Sequence, residues 1–265
     1  MKIKSFFVIS LSFLLFSCEK KSQPNPVAQQ QVTDFAEDLN ERENQELKKN
    51  DVPILPVSVG DQWIYEVKIQ VPENAQIEGA KAINQSFVRK RTFIGKTKPT
   101  GNHPETDCFE IESVGSPIER EYVAIDEENV KMCGSEVVGG NHTFPIWLNP
   151  PVTLVRAGVK PGESLPPIQI KDAKSGLEFL RVIQIVAREN LTMAGRDFET
   201  IRILMTGKDG KDGNMEIRRT IWFAPHFGIV KEEKLRYIND KLILKELTDL
   251  KSMRMKIGGT AGVNP

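Results

Sequence analysis

The sequence predicts an all-β domain, mainly antiparallel, folded as a curved sheet or half-barrel of about eleven strands. Apolar residues alternate with polar ones around Trp63, Tyr65, Val67 and Ile69, which is the period of a strand with one buried face. Turn-forming segments separate such runs at short intervals, so successive strands are joined closely enough to pair antiparallel. No stretch between residues 51 and 250 carries a convincing helical stripe of apolar residues.

Two segments of the domain resemble one another. Residues 57–63 open the domain and residues 159–165 follow later, each with a glycine, an acid directly after it and an apolar residue three positions on. One explanation is that the sheet consists of two similar meanders, joined by the proline-rich stretch 145–151. The other is that this pattern is a common way to begin a strand, and the sequence leaves both open.

The N-terminus has the features of a bacterial lipoprotein signal peptide over residues 1–17. Lys2 and Lys4 precede an apolar run at 6–16, which is shorter than the about 20 residues that a membrane span needs. The run ends in Leu-Phe-Ser-Cys. This resembles the bacterial lipobox, although the phenylalanine is bulkier than usual, and the resemblance implies that Cys18 carries acyl chains such as palmitate. The alternative is an ordinary secretory signal in which this cysteine is incidental.

The rest of the chain divides into three parts. Residues 18–50 are almost wholly polar and are interpreted as the lipidated cysteine and a flexible tether. Residues 51–250 form the β-rich domain, long enough to bury one sizeable core. Residues 251–265 are predicted to be a disordered tail.

The charge balance gives no indication of a nucleic-acid partner. The chain has 36 basic and 36 acidic side chains, and removal of the signal peptide takes away lysines but no acid. A protein that binds nucleic acid or anionic lipid through its net charge would show a basic excess. Acid pairs such as Glu232 and Glu233 are interpreted as solvated strand edges.

Two further cysteines, Cys108 and Cys133, lie in strand-like segments on either side of a third one at 118–125. In a plain meander the outer two strands lie about 9.6 Å apart, whereas a disulfide needs Cα atoms roughly 4.4–6.8 Å apart. Either the cysteines are free or the middle segment does not pair between them, and we favour free cysteines.

No set of residues indicates catalysis or metal binding. His103, His142 and His226 each lie in a predicted loop, without another ligand-type residue at metal-binding spacing. No nucleophile elbow, phosphate-binding loop or dinucleotide-binding glycine motif occurs. We therefore expect a protein that is not an enzyme and that has no cofactor and no metal.

Trp222 is the candidate for a ligand or partner face. Because adjacent strand residues point to opposite faces, a buried Phe223 would place Trp222 on the other side of the sheet, beside Arg218. Either Trp222 packs beneath a loop, which is the more common outcome, or Trp222 and Arg218 line a groove for an apolar ligand or a partner.

The end of the domain carries the most recognisable motifs. Residues 194–200 read AGRDFET and residues 221–231 read IWFAPHFGIVK, while GDQWIY at 60–65 opens the domain. These motifs are similar to a signature of uncharacterised β-rich bacterial envelope lipoproteins. This chain departs from that signature at His226 and Phe227, where the family usually has glycine and valine. That family distantly resembles the half-barrel lipoprotein-localisation carriers, which implies a half-barrel fold.

Together these observations predict a lipid-anchored protein of the bacterial envelope that faces the periplasm. In enteric bacteria, an aspartate directly after the lipidated cysteine retains a lipoprotein in the inner membrane. This chain has Glu19 at that position, which favours the outer membrane. The first hypothesis is a non-catalytic binding module for a hydrophobic ligand or for envelope assembly. The alternative is a structural or interaction lipoprotein with a self-filled core that contacts another envelope protein.

Overall fold

The structure is a computed structural model that describes residues 53–72, 83–138, 146–171, 178–209 and 214–256. The predicted signal peptide, Cys18 and the tether lie outside the described residues, as does the tail beyond residue 256. The described residues form twelve strands and no helix. In chain order these are β1 (Gln62–Val71), β2 (Ile83–Thr97), β3 (Thr106–Ser113), β4 (Ile118–Ile125), β5 (Asn129–Val138), β6 (Ile146–Arg156), β7 (Ser164–Lys171), β8 (Glu178–Met193), β9 (Arg196–Asp209), β10 (Met215–Ala224), β11 (Gly228–Ile238) and β12 (Lys241–Arg254).

All twelve strands belong to one antiparallel sheet in the order β6-β5-β4-β3-β2-β1-β12-β11-β10-β9-β8-β7. The sheet curls until its edge strands, β6 and β7, approach each other, which gives a nearly closed, barrel-like shape. The predicted all-β antiparallel half-barrel is thus confirmed, with twelve strands where about eleven were expected. The last strand continues to Arg254, beyond the predicted domain boundary at residue 250.

Alternation along the strands decides which face is buried. Trp63, Tyr65 and Val67 of β1 are 1%, 3% and 0% exposed, and they point into the curved sheet. The residues between them lie on the outer face and are more exposed. The core therefore fills the concave side, as the period of two predicts.

The sheet consists of two consecutive six-stranded meanders, β1–β6 and β7–β12, which pair with each other through β1 and β12. The first meander begins at Gly60, whose N–H donates to Phe93 O at 2.8 Å. The Phe93 N–H returns a bond to Asp61 O at 2.9 Å. The backbone at Gly60 has a φ of 94°, a conformation that glycine adopts without strain.

The second meander begins with the same backbone pattern. Gly162 has a φ of 90°, and its N–H donates to Ile185 O at 2.8 Å. The Ile185 N–H donates to Glu163 O, also at 2.8 Å. The two segments that resemble one another in the sequence therefore have matching hydrogen bonds at the start of each half.

Prolines mark both edge strands. Pro150 and Pro151 lie within β6, and Pro166 and Pro167 lie within β7, each pair at an irregularity in the ladder. Proline has no N–H to donate, so edge prolines oppose pairing with another chain. The connection between the halves is residues 157–163, and not the proline-rich stretch 145–151 that the sequence suggested.

A segment before β1 closes one end of the barrel, and we call residues 53–61 the strap. The Ile54 N–H donates to Glu127 O at 3.1 Å, in the turn between β4 and β5. The Ile54 carbonyl accepts from His226 N at 2.8 Å, in the turn between β10 and β11. Because Ile54 and Leu55 are also buried, the strap covers this end of the core.

Cys108 and Cys133 are free, as favoured from the sequence. The strand β4 pairs between β3 and β5, so the meander keeps the two cysteines on strands that are not neighbours. Both are buried in a small cluster with Tyr122 on the outer face of the sheet. Burial raises the pKa of the Cys108 thiol to about 12, which leaves little of the reactive thiolate.

Candidate functional site

The half of the interior next to the strap is apolar and filled by its own side chains. The ring of Phe109 lies edge-on to Trp63 at 5.7 Å and beside Phe93 at 5.2 Å between centroids. The Trp63 indole N–H donates to Phe227 O at 2.7 Å, so its polar atom is satisfied. A cavity of about 20 Å³ lies against this layer, with room for a single water molecule.

Further along the strands the interior becomes charged. Ten ionisable side chains occupy inward-facing positions, and we call them the charged belt. The basic ones are Arg89, Arg91, Arg181, Arg219, Lys234 and Arg236, and the acidic ones are Glu119, Glu121, Glu232 and Glu246. The belt thus has two more positive than negative charges.

Glu232 is the most deeply paired member of the charged belt. Its carboxylate accepts two bonds from Arg219, Nε at 2.7 Å and a terminal nitrogen at 3.1 Å, and lies 3.1 Å from Lys234 Nζ. Burial alone would raise the pKa of Glu232, but the two cations outweigh it and hold that pKa well below its ordinary value. This carboxylate is therefore ionised and held by its ion pairs with Arg219 and Lys234.

Two further pairs involve arginines of the first half of the sheet. Arg89 donates to Glu246 at 2.9 Å, an interaction that joins the two halves through β2 and β12. Arg91 donates to Glu121 at 2.9 Å, and its guanidinium lies 3.8 Å from the centroid of the Phe109 ring. Each of these guanidiniums thus has an acidic partner inside the barrel.

Arg181 and Arg236 differ from the other arginines of the belt. Both side chains are half-buried, and neither makes an ion pair with another member of the charged belt. Burial, with repulsion from Arg219, lowers the pKa of Arg181 to about 10. Burial also lowers the pKa of Arg236, and the negative charge of Glu246 only partly opposes this. Within the belt, Arg181 and Arg236 are thus the arginines without an ion pair, and Glu119 is the acid without one; burial raises the pKa of Glu119.

Trp222 lies on the outer face, as expected, because Ile221 and Phe223 on either side of it are buried. Its indole N–H donates to Glu189 at 2.5 Å, and Lys231 Nζ lies 5.1 Å from the ring centroid. Trp222 is therefore held by polar side chains of the neighbouring strands. Its role as a ligand or partner face stays a prediction.

Arg218, the second residue of that predicted face, is half exposed. Its Nε lies 2.5 Å from Glu216, and its guanidinium lies 4.9 Å from the centroid of the Tyr237 ring. The hydrogen bond from Arg218 holds the pKa of Glu216 below its ordinary value. Arg218 thus has partners on its own face and does not reach the charged belt.

The charged belt is the feature that sequence reasoning missed. The pair Glu232 and Glu233 was interpreted as a solvated edge, and this was wrong for Glu232, which is 6% exposed. A signal was present in the charges that recur two residues apart, such as Arg89 with Arg91 and Glu119 with Glu121. That spacing places each pair on one face of a strand, but it does not tell which face is inside.

No group of three or more His, Cys, Asp and Glu side chains in the described part of the chain could hold a metal ion. Within the same residues, no helix is long and apolar enough to cross a membrane.

No protein-family model matches the chain, and no curated protein matches it. Several solved bacterial structures are similar to it, among them the following three, all with provisional descriptions. A lipoprotein from Parabacteroides distasonis is 10% identical, with a TM-score of 0.42 over 77% of this chain and 99% of the other. An exported protein with a YmcC-like fold from Bacteroides fragilis is 15% identical, with the same TM-score and the same coverage.

The third similar structure is an outer membrane lipoprotein-sorting protein domain from Vibrio parahaemolyticus. It is 8% identical, with a TM-score of 0.31 over 87% of this chain and 95% of the other. These descriptions agree with the resemblance stated from the sequence, to envelope lipoproteins and more distantly to lipoprotein-localisation carriers. The function of the chain is argued below from its own residues.

Proposed function

We propose that this protein is a lipid-anchored, non-catalytic interaction module of the bacterial envelope, which contacts another envelope protein and does not carry an apolar ligand. The observation that supports this proposal best is the filled apolar half of the interior. Pockets for small molecules usually have volumes of roughly 300–1,000 Å³. The cavity here is about 20 Å³, and its floor and walls include Phe109, Ile203 and Phe223.

The anchored location rests on the sequence. The lipobox-like run ending at Cys18 and the polar residues after it favour a protein that is tethered to a membrane and exposed to the periplasm. We place it at the outer membrane because Glu19, and not aspartate, follows the cysteine. The tether joins the domain at the strap, so the end of the barrel with the charged belt is the one further from the point of attachment.

Native mass spectrometry tests the filled core. The chain that lacks residues 1–18 would be expressed in a bacterial periplasm, purified without detergent and measured intact. We expect the mass of the polypeptide alone. A stoichiometric lipid or fatty acid that survives purification would contradict the proposal and favour the hydrophobic-ligand hypothesis.

Site-specific crosslinking tests the interaction face. A photoreactive amino acid at position 218, on the full lipidated chain in intact envelopes, should crosslink to one envelope protein. The same probe at position 90, on the outer face of the other half, is the matched control. The crosslink at position 218 should weaken when Trp222 is replaced by alanine. Equal crosslinking from positions 218 and 90 to abundant proteins would refute the assignment of the interaction face to Arg218 and Trp222.

Labelling with palmitate tests the anchor separately. Radiolabelled palmitate should enter the wild-type chain and should not enter Cys18→Ala. Persistent labelling of Cys18→Ala would refute the assignment of the anchor to Cys18, without bearing on the filled core.

A further inference from the structure

A second buried cluster lies on the outer face of β3, β4 and β5. Cys108, Tyr122 and Cys133 are 0%, 1% and 4% exposed, although the outer face of an antiparallel sheet commonly meets water. These residues form a cluster of their own, separate from the main core on the concave side. Because the two clusters are separate, the outer one can be uncovered while the main core stays packed.

The loop between β2 and β3 crosses this outer cluster, and we call residues 98–105 the flap. Pro99 is buried, and His103 stacks on Trp147 of β6, with ring centroids 4.5 Å apart and planes inclined by 18°. Trp147 in turn packs against the cluster, its ring centroid 5.9 Å from that of Tyr122. The flap therefore begins at β2, ends at β3 and reaches across the outer face to the edge strand.

Glu136 of β5 holds the middle of the flap. Its carboxylate is 3% exposed and accepts hydrogen bonds from Thr100 N at 3.1 Å and from the Tyr122 hydroxyl. Arg120 lies 3.8 Å away. Burial alone would raise the pKa of Glu136, but these donors and the charge of Arg120 hold that pKa below its ordinary value. A charged carboxylate therefore fixes the flap to the sheet.

The flap has few other attachments. No backbone N–H of residues 98–105 donates to a backbone carbonyl of any described residue, whereas the strap is bonded to two turns through Ile54. Six of the eight flap residues are exposed. Water can replace the Thr100 N–H at Glu136 when the flap leaves, so the carboxylate is satisfied in both positions of the flap. A segment with so few contacts opens at a lower free energy than the whole domain.

We propose that the flap opens and closes over the outer cluster while the barrel stays folded, and that Glu136 and Trp147 are the residues that hold it closed. In the closed state the two thiols and Tyr122 are withdrawn from solvent. In the open state Tyr122 and the ring face of Trp147 that His103 covers become a surface beside β6. This device lies on the first half of the sheet, so it is independent of the proposed interaction face on the second half and leaves the main core filled.

Alkylation of the two thiols measures the opening. The full chain in a non-ionic detergent would be treated with iodoacetamide, and peptide mass spectrometry would follow Cys108 and Cys133 separately from Cys18. Burial raises the pKa of both thiols, so they react only when they are exposed. We expect both to be labelled at a rate that low concentrations of urea do not change, since flap opening exposes little surface. Labelling only as the barrel unfolds would overturn the proposal.

Substitutions of the residues that hold the flap should accelerate labelling. His103→Ala removes the stack on Trp147 and should raise the labelling rate of both cysteines about fivefold. Glu136→Gln replaces the charged acceptor of the Thr100 N–H and should raise it at least tenfold. Asn102→Ala, at an exposed position of the same loop, is the matched control and should be labelled like the wild type. Wild-type rates in both His103→Ala and Glu136→Gln would refute the proposal.

A substitution in the other half of the sheet separates flap opening from unfolding of the barrel. Leu165→Ala removes a side chain of the main core, which stays packed whether the flap is open or closed, so the labelling rates should not change. If labelling required unfolding of the barrel, Leu165→Ala would be labelled at least tenfold faster than the wild type. That result would overturn the proposal even if His103→Ala and Glu136→Gln also accelerate labelling.

Discussion

The two halves of the sheet begin with the same backbone hydrogen bonds but fill the interior with different side chains. Phe93 and Ile185 occupy matching positions, since each receives a bond from the glycine at the start of its half and each directly precedes an irregularity in the ladder. Counting four residues back along the strand, Arg89 corresponds to Arg181. The repeated backbone therefore holds an arginine at the same place in both halves.

The surroundings of these two arginines differ. Arg89 has Glu246 at 2.9 Å, whereas Arg181 makes no ion pair with the acids of the charged belt. The first half also packs Trp63 where the second half has Leu165. The comparison teaches that the shared backbone determines where side chains point, while each half uses those positions for a different purpose.

The largest expected difference in stability between the halves is at the first inward-facing residue of each half, Trp63 and Leu165. Trp63→Ala should lower the free energy of unfolding by about 3–5 kcal/mol, because it removes a side chain that is 1% exposed and leaves Phe227 O without its donor. Leu165→Ala should cost about 2 kcal/mol, since a smaller side chain that is 9% exposed is lost. Urea unfolding of both variants measures the difference. Equal losses would contradict the unequal roles of the two halves.

The next contrast is between the two buried carboxylates. Glu232→Gln should cost about 3 kcal/mol, because it breaks the two-bond contact with Arg219 inside the barrel. Glu121→Gln should cost about 2 kcal/mol, because its single contact with Arg91 is more exposed. Urea unfolding at neutral pH compares the two variants. A smaller loss for Glu232→Gln than for Glu121→Gln would contradict this ranking.

The dependence of stability on pH tests the role of Glu232 further. The pKa of Glu232 in the folded protein lies below the value of 4.5 that applies to the unfolded chain. Below about pH 4.5 the unfolded chain takes up the proton first, so the stabilisation from Glu232 is complete above that pH and is lost as the pH falls toward the folded pKa. The urea midpoint of Glu232→Gln should therefore fall less steeply with acid than that of the wild type. Parallel curves would contradict the depressed pKa.

A smaller effect is expected at the matching arginines. Arg89→Met removes the partner of Glu246 and should cost about 2 kcal/mol. Arg181→Met removes a half-buried cation that makes no ion pair with the acids of the charged belt, so the free energy of unfolding should stay the same or rise. Thermal and urea unfolding of the two variants provide the measurement. Equal destabilisation would remove the distinction between the halves.

The smallest contrast is between Gly60 and Gly162, the glycines at the start of the two halves. Both have a positive φ, so alanine at either position should cost about 1 kcal/mol in backbone strain. At Gly60 the added Cβ atom would also lie 2.9 Å from Lys256 Nζ, whereas at Gly162 it would meet nothing within 4 Å. Gly60→Ala should therefore be the less stable variant, because Lys256 must also be displaced. A lower urea midpoint for Gly162→Ala would contradict this reasoning.

The fold was predictable because its signal is local. The alternation around Trp63 and the short turns between strands follow from the pleat of a strand, and they predicted the antiparallel sheet, while the half-barrel shape was implied by the resemblance to envelope lipoproteins. The glycine and acid at 60–61 and at 162–163 also mark the start of each half in the sequence. These features depend on neighbouring residues only, so one sequence is enough to read them.

The charged belt was not predictable because it depends on closure of the sheet. Glu232 and Glu233 are alike in the sequence, and only the pairing of β10, β11 and β12 places one inside and the other outside. Arg89 meets Glu246 from the other end of the chain, which local periodicity cannot indicate. Charges in strands are usually solvated, so the usual interpretation failed where the sheet curls around them.

The strap gives the domain a defined response to mechanical load. Any tension that reaches the domain from its N-terminal side enters at Pro53, before the first residue of β1. Ile54 is bonded to one turn in each half, so a pull is shared between both halves and does not peel β1 from its neighbours. The buried side chains of Ile54 and Leu55 must leave the core before the ladder of β1 is loaded. The strap would therefore take up a load on the N-terminal side of the domain before the sheet does.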